Sequence, residues 1–401
     1  MPILNKFHNK STLFLLKNLN AVKLCVLCVS VLKKKYLYPR NLKTMYSMKS
    51  EYFVLGLMSG SSLDGLDLAL CYFDKKVDRW NYDVIAARTY PYPEELRLRL
   101  AKAIDFSAYE FVKLDVELGS VIAATVRSFL DGQPVKPDFI ASHGHTTFHQ
   151  PTIGLTSQIG SGAVIASHTG ITTVCDFRTN DVALGGQGAP LVPIGDELLF
   201  GHYDACLNLG GFSNISFRKD GRRIAFDISP CNMALNYLAN LLGKDYDKDG
   251  EAARNGTMDQ AFFDRLNSLD FYRIKGAKSL GKEWFDTNFR PCLDQAKLAV
   301  VDKLRTLTEH IAFQLAQSSD GNKGETMLVT GGGARNLFLI NRLRTIGSKE
   351  IVIPDEQTID FKEAIIFAFL GVLRMRGETN CLSAVTGARI DNCGGSVYHF
   401  L

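Results

Sequence analysis

The chain reads as an α/β protein built from two related lobes. Short apolar runs alternate with stretches of helical spacing, the pattern of strands and helices in turn. A strand, a Gly/Ser turn and a second strand occur over residues 51–73 and again over 204–217, which points to two related halves. The composition, 46% hydrophobic and 22% charged, is that of a chain with a packed core rather than a disordered or fibrous one.

An apolar run at 52–58 ends in Ser59-Gly60-Ser61-Ser62, and a second at 66–73 comes after Asp64-Gly65, so turn chemistry separates two strands. A third strand is expected over 82–92, and helices over 94–104 and 110–130, where charges gather on one face. A strand at 138–142, a helix near 163–167 and a strand at 171–175 precede the loop Leu184-Gly-Gly-Gln-Gly-Ala-Pro190. A second strand series is expected at 205–209, 215–217 and 223–227, then mainly helices, including a long one over 294–317. The strand 327–330 leads into Gly331-Gly332-Gly333 and a helix from about Arg335, and a closing helix over 362–375 opens with Glu363. The expected division is a basic extension outside the fold (1–50), an N-terminal lobe (51–190) and a C-terminal lobe (191–401).

The formal net charge of +4 averages two unlike parts. Residues 1–50 hold ten cations and no acid, whereas the body holds 36 basic and 42 acidic groups, a net of −6. A body without basic excess argues against nucleic acid as a default partner. The longest apolar run of the leader, 24–32, is broken by Ser30 and is shorter than the ~20 residues a membrane span needs. The leader reads as an upstream extension with initiation at Met45 or Met48; a targeting or membrane-surface segment and an ordered structural part are the alternatives. Nine scattered cysteines, with Cys25-x-x-Cys28 lacking a second pair, suit a reduced, cytoplasmic protein.

Three turns carry the candidate chemistry. Gly60-Ser61-Ser62-Leu63-Asp64-Gly65-Leu66-Asp67 joins two strands, so its backbone N–H groups and hydroxyls can face an anion. Its carboxylates, Asp64 and Asp67, suit Mg²⁺ held through water. Asn208-Leu-Gly210-Gly211-Phe-Ser213-Asn214 is the matching turn of the second half, and Gly331-Gly332-Gly333 comes after a buried strand, where backbone can approach a nucleoside. An ordinary hairpin is the competing reading of the first turn alone, and a lone glycine triplet is weak by itself; three such turns, each after an apolar strand, are stronger. His143-x-His145-x₃-His149 has a spacing that suits a metal but no cysteine or carboxylate close by, and reads as loop histidines.

Taken in order, Gly56-Leu-Met-Ser-Gly-Ser-Ser-Leu-Asp-Gly-Leu-Asp67, Ser142-His-Gly-His-Thr146, Asp176-Phe-Arg178 with Asp181, and Gly185-Gly-Gln-Gly-Ala-Pro-Leu-Val-Pro193 resemble the anhydro-N-acetylmuramic acid kinase family. So do Asn208–Asn214, Phe226-Asp227, Tyr246-Asp-Lys-Asp-Gly250, Lys278-Ser279 with Trp284-Phe285, Glu363-Ala364 and Val385-Thr-Gly-Ala388. The resemblance covers 52–399 and implies a two-lobed fold of the actin, sugar-kinase and Hsp70 ATPase superfamily, with ATP in the cleft. It implies that water opens the 1,6-anhydro bridge of the sugar while ATP, with Mg²⁺, phosphorylates O6, in the recycling of bacterial cell wall. Under it Asp227 is the general base, and Thr146, Arg178, Asp181 and Glu363 are sugar-binding. The three turns, through Gly60–Asp67, Gly210, Gly211, Ser213, Asn214 and Gly331–Gly333, would hold ATP. It also suggests a homodimer. Without the resemblance, Asp227 reads as a strand-end aspartate.

Three places depart from the family pattern: Ser229-Pro-Cys231-Asn232 replaces a Gly-Pro-Gly-Asn, Thr179 stands where an arginine is common, and His145 where a glutamine is common. Cys231 would either narrow the site beside Asp227 or start the following helix. All three lie on the sugar side, so two other readings stand beside the first. One is a kinase of another amino sugar without hydrolysis, and the other an ATP-binding sensor of cell-wall fragments. Because ATP and a muramate are both anions in an acidic body, Arg178 and Lys278 are the cations of interest.

Overall fold

The computed structural model describes residues 49–400 apart from 61–62, 78, 277 and 319–323. The expectations for the leader, Cys25-x-x-Cys28 and the side chains of Ser61 and Ser62 lie outside the described residues.

Two mixed sheets organise the compact unit Ser50–Leu401. The first is built from β1 (Glu51–Ser59), β2 (Leu66–Lys76), β3 (Arg79–Tyr90), β4 (Phe139–Gln150), β5 (Leu155–Ile159), β6 (Thr173–Cys175) and, from the end of the chain, β12 (Ser396–Tyr398). The second holds β7 (Ala205–Leu209), β8 (Phe212–Lys219), β9 (Arg222–Pro230), β10 (Thr326–Thr330) and β11 (Glu350–Val352). The shared core of each has one order, β3-β2-β1-β4-β6 in the first and β9-β8-β7-β10-β11 in the second. In both, three strands form an antiparallel meander, and the first strand pairs parallel with the fourth. The repeated strand–turn–strand of the sequence is therefore the first hairpin of a duplicated sheet, and the two-lobed α/β architecture is the one expected.

Each sheet has its own core. Leu55 and Leu57 of β1 and Leu66, Leu68 and Leu70 of β2 meet Leu114, Leu118, Ile122 and Val126 of α1 (Ala108–Leu130). Those helical residues recur every three or four positions, the spacing of a single buried face. A Ser107–Glu110 capping box starts that helix. In the second lobe, α2 (Asn232–Asn240), α3 (Val300–Ser318) and α4 (Leu337–Ile346) pack with β7 and β10.

A single helix serves both sheets. α5 (Glu356–Arg376) buries residues on all sides, packs on β1, β2 and β4, and touches β10. It lies on the face of β1 opposite α1, because Gly56 alternates with Leu55 and Leu57. The approach is close: a Cβ on Gly56 would stand 2.0 Å from the Ala364 carbonyl oxygen. The link from β6 to β7 carries the short helix Pro193–Leu198, and its Asp196 forms a buried ion pair with Lys362 of α5 at 2.7 Å.

Three expectations need correction. The helix expected over 294–317 is two, Arg290–Gln295 and Val300–Ser318. The closing helix begins at Glu356, where the Asp355 carboxylate accepts the Thr358 N–H at 2.9 Å, so Glu363 lies two turns inside rather than in the first turn. The segment 191–401 does not stay in one lobe: β12 returns to pair with β6 in the first sheet.

Candidate active site

The duplicated sheets place an aspartate on the equivalent rung of each. In the first lobe Asp67 pairs with Met58 of β1 and Thr89 of β3; in the second, Asn214 pairs with Asn208 of β7 and Asp227 of β9. The Thr89 hydroxyl donates to Asp67 Oδ1 at 2.5 Å. Burial holds the Asp67 carboxyl above its usual range; the Thr89 bond opposes that, and the charges of Asp360 and Asp64 add to it. Asp227 is held by backbone: its N–H donates to the Lys278 carbonyl at 2.9 Å, and its Oδ2 accepts the Leu280 N–H at 2.7 Å. Burial pushes Asp227 up to about 6, with the Leu280 bond acting against it. A carboxylate at that value is mostly ionised near neutrality yet basic enough to take a proton.

The glycine turns of the second lobe converge. Gly331 has φ 80°, and a Cβ there would stand 2.5 Å from Asn208 Oδ1. A Cβ on Gly333 would stand 2.7 Å from Leu209 Cβ. The Cys231 N–H donates to Gly211 O at 2.8 Å and the Asn232 N–H to Gly210 O at 3.1 Å, which seats the start of α2 on the second turn. Asn232 Nδ2 donates to Leu209 O at 2.9 Å. Arg335, two residues past the triplet, grips Asp360 of α5 with two bonds of 2.5 and 2.8 Å. Asp360 acts in turn on Asp67, so the charges link the third turn to the first across α5.

The first lobe supplies the other wall. Arg178 donates from Nε to His143 Nε2 at 3.0 Å, with Nη2 at 2.8 Å, and from Nη1 to Gly188 O at 2.6 Å. The guanidinium carries five N–H donors, so two remain. Because Arg178 donates to Nε2, the His143 proton sits on Nδ1, bonded to Gly144 O at 2.8 Å. Burial, then the Arg178 charge, lowers His143 well below the usual histidine range, so the ring is neutral. Glu363 is open to solvent but ringed by protein; desolvation raises its carboxyl, Arg178 lowers it and Asp67 raises it. Thr146, at the rung facing Gln158, is half-buried.

Not every expected residue reaches the cleft with its side chain. Leu66 is core, 2% exposed. Ser213 is fully buried and its hydroxyl donates to Ser229 O at 3.1 Å, inside the sheet. Asp181 is also fully buried. It accepts from Gly188 N at 2.8 Å, Thr386 Oγ1 at 2.9 Å, Asn392 Nδ2 at 2.8 Å and Cys381 Sγ at 3.0 Å. With that many donors it ties the glycine-rich loop to the end of the chain instead of presenting a free carboxylate. Cys231 turns into the core, so it starts α2 and does not narrow the site. His145 is buried, its Nδ1 3.1 Å from Ser59 Oγ, which accepts from the Tyr92 hydroxyl at 2.8 Å. Asp360, Arg335 and Leu280 were missed; Arg335 comes just after a glycine triplet, which is a readable sign, whereas a backbone N–H leaves none.

Among the described residues no group of three His, Cys, Asp or Glu forms a metal cage, and the histidine triplet holds none. Asp64 and Asp67 nonetheless fit Mg²⁺, which is commonly bound through one or two carboxylates, waters and phosphates. No helix among the described residues is long and apolar enough to cross a membrane.

The family model described as anhydro-N-acetylmuramic acid kinase matches residues 52–400. A protein of that name from Pseudomonas syringae pv. syringae is 37% identical over 87% of this chain and 99% of its own. One from Gloeobacter violaceus is 36% identical over 83% of this chain and 95% of its own. Among solved structures, component A of the (R)-2-hydroxyglutaryl-CoA dehydratase of Acidaminococcus fermentans is similar at a TM-score of 0.42 and 12% identity, over 81% of this chain and 99% of that one. By the extent of the family match and the identity to its relatives, the chain belongs to the anhydro-N-acetylmuramic acid kinase family, whose members are ATP-dependent sugar kinases.

Proposed function

We propose that the protein opens the 1,6-anhydro bridge of anhydro-N-acetylmuramic acid with water and phosphorylates the released O6, giving N-acetylmuramic acid 6-phosphate and ADP. The observation that carries the reading is Asp227, half-buried on β9 with its carboxyl raised to about 6. One oxygen is engaged by Leu280, and among the described residues no donor is on Oδ1, which leaves it for water. Asp227 takes the proton as the water oxygen bonds to C1. The C1–O6 bond breaks through an oxocarbenium-like transition state, and O6 keeps its electron pair. That oxygen attacks the γ-phosphorus, and ADP departs with the bridging oxygen. A single base thus serves both steps, because ring opening itself creates the nucleophile.

The other residues bind and orient. The turns at 60–67, 210–214 and 331–333 would hold the phosphates through backbone N–H groups. Asp64 and Asp67 would hold a hydrated Mg²⁺, which supplies charge neutralisation to the polyphosphate when bound. The two spare donors of Arg178 suit the lactyl carboxylate of a muramic acid, and Thr146 and Glu363 suit its hydroxyls. On the same family grounds we assign a cytoplasmic homodimer working in the recycling of cell wall.

The test is turnover of the full chain with Mg-ATP in ¹⁸O-labelled water. The expected product from the anhydro sugar carries ¹⁸O at C1 and phosphate at O6 by mass spectrometry. Phosphorylation of free N-acetylmuramic acid alone, with no reaction of the anhydro sugar, overturns the hydrolytic step.

A further inference from the structure

A cavity of about 850 Å³ opens on the second lobe, away from the cleft. Ligand sites are typically ~300–1,000 Å³. Its floor is apolar, formed by Phe217 of β8 and Ile224, Phe226 and Ile228 of β9, with Tyr272 beside them. Those β9 residues alternate with Asp227, so the cavity faces the other side of the strand from the base. Phe217 and Phe226 meet edge to face, 6.1 Å between centroids, and stay half-exposed inside the concavity.

The rim is cationic, against the acidic trend of the body. Lys219, Lys275 and Lys278 line it, and among the described residues none of the three has a carboxylate within ion-pair distance. Lys349 and Arg218 also line it, but they are already paired, with Glu325 and Glu197. Gln314 and Gln317 add neutral amides from the end of α3. Lys219 and Lys275 have no ion-pair partner among the described residues, and Lys278, whose Nζ donates to the Phe271 carbonyl at 3.2 Å, keeps a charge that no carboxylate balances, so the concavity selects an anion. Half-exposed aromatic rings add apolar contact that a bare ion would leave unused, and amides suit hydroxyls.

We infer that this cavity binds a phosphorylated sugar, its phosphate among Lys219, Lys275 and Lys278 and its ring on the aromatic floor. The reaction proposed above makes such a molecule, and the choice of ligand rests on that reading. Lys278 connects the two sites. Its side chain lines the cavity, with Nζ 4.4 Å from the Phe271 ring centroid, while its carbonyl accepts the Asp227 N–H. An occupant therefore acts on the backbone that holds the base, and turnover falls as the cavity fills.

The test is calorimetric titration of the full chain with N-acetylmuramic acid 6-phosphate, the cleft being filled by a non-hydrolysable ATP analogue and the anhydro sugar. One saturable site is expected to remain, and K219E/K275E should weaken it by about tenfold or more. That variant touches no residue of the cleft, so its turnover in the absence of added product should equal that of the parent. Absence of a remaining site, equal affinity in the variant, or equally tight binding of inorganic phosphate alone overturns the inference. Failure of the kinase reading shows separately, as absent turnover in both proteins.

Discussion

The two lobes carry different chemistry on the same rung. In the first, the acid is on the middle strand, Asp67, and its partner on the third strand is the hydroxyl of Thr89. In the second, the middle strand carries Asn214 and the acid has moved to the third strand, Asp227, where backbone from 278–280 holds it. Burial raises both carboxyls, but their companions differ: Asp67 feels the charges of Asp360 and Asp64, whereas only the Leu280 N–H acts on Asp227. An acid among acids suits a cation and phosphates. An acid alone in a dry setting suits proton transfer. The repeated sheet supplies the geometry, and the choice of rung partner sets the surroundings of each carboxyl.

The largest effect should come from removing the isolated acid. Asp227→Asn is expected to lower kcat by ~10²–10⁴-fold while calorimetry shows ATP binding retained; equal loss of both would make the two acids alike after all. In the parent, kcat/KM should fall as pH drops through about 6, because the base must be ionised. The stability sign is opposite. A carboxyl raised by folding favours the protonated form, so its contribution is present at low pH and lost as pH rises through about 6. Asp227→Asn should therefore raise Tm at pH 7, by differential scanning calorimetry.

A smaller effect tests whether turn backbone matters as much as rung side chains. Gly331 sits at φ 80°, ψ 165°, a region open mainly to glycine, and Gly331→Ala should cost ~1–3 kcal/mol and weaken ATP accordingly. Gly332→Ala is the control, since its Cβ would find nothing nearer than Asn232 Nδ2 at 3.6 Å. Similar losses in both would mean that the turn's conformation is irrelevant. The smallest effect is expected at Thr89→Val. Losing one hydrogen bond of about 1 kcal/mol should raise the Mg²⁺ needed for half-maximal turnover several-fold, without moving the sugar KM. A change in sugar KM instead would place Asp67 on the sugar.

The hairpins β1–β2 and β7–β8 were legible because glycine and hydroxyl turns interrupt apolar runs. Asp227 was expected as the base only through its place in a long motif, and the structure adds its burial and the bond from Leu280. The three-residue strands β11 and β12 carry too few side chains to show a period, and only pairing reveals them. Asp181 misled for another reason: a carboxylate in a polar motif reads as a ligand, and nothing local shows that Thr386 and Asn392, some two hundred residues away, saturate it. Ser213 misled likewise, since strand alternation decides which hydroxyls face inward. Glu363 was assigned to a first turn because the start at Glu356 is marked by a cap, Asp355, eight residues before it and ahead of the apolar run.

The chain passes between the sheets twice, from β6 to β7 and from β11 through α5 to β12, and Lys362–Asp196 fastens the two passages together. A pin between two crossings removes the independent play each would have alone, so a disturbance of either passage reaches the other through one ion pair. Glu363 is the residue next to Lys362, so the carboxylate proposed for the sugar sits at that pin.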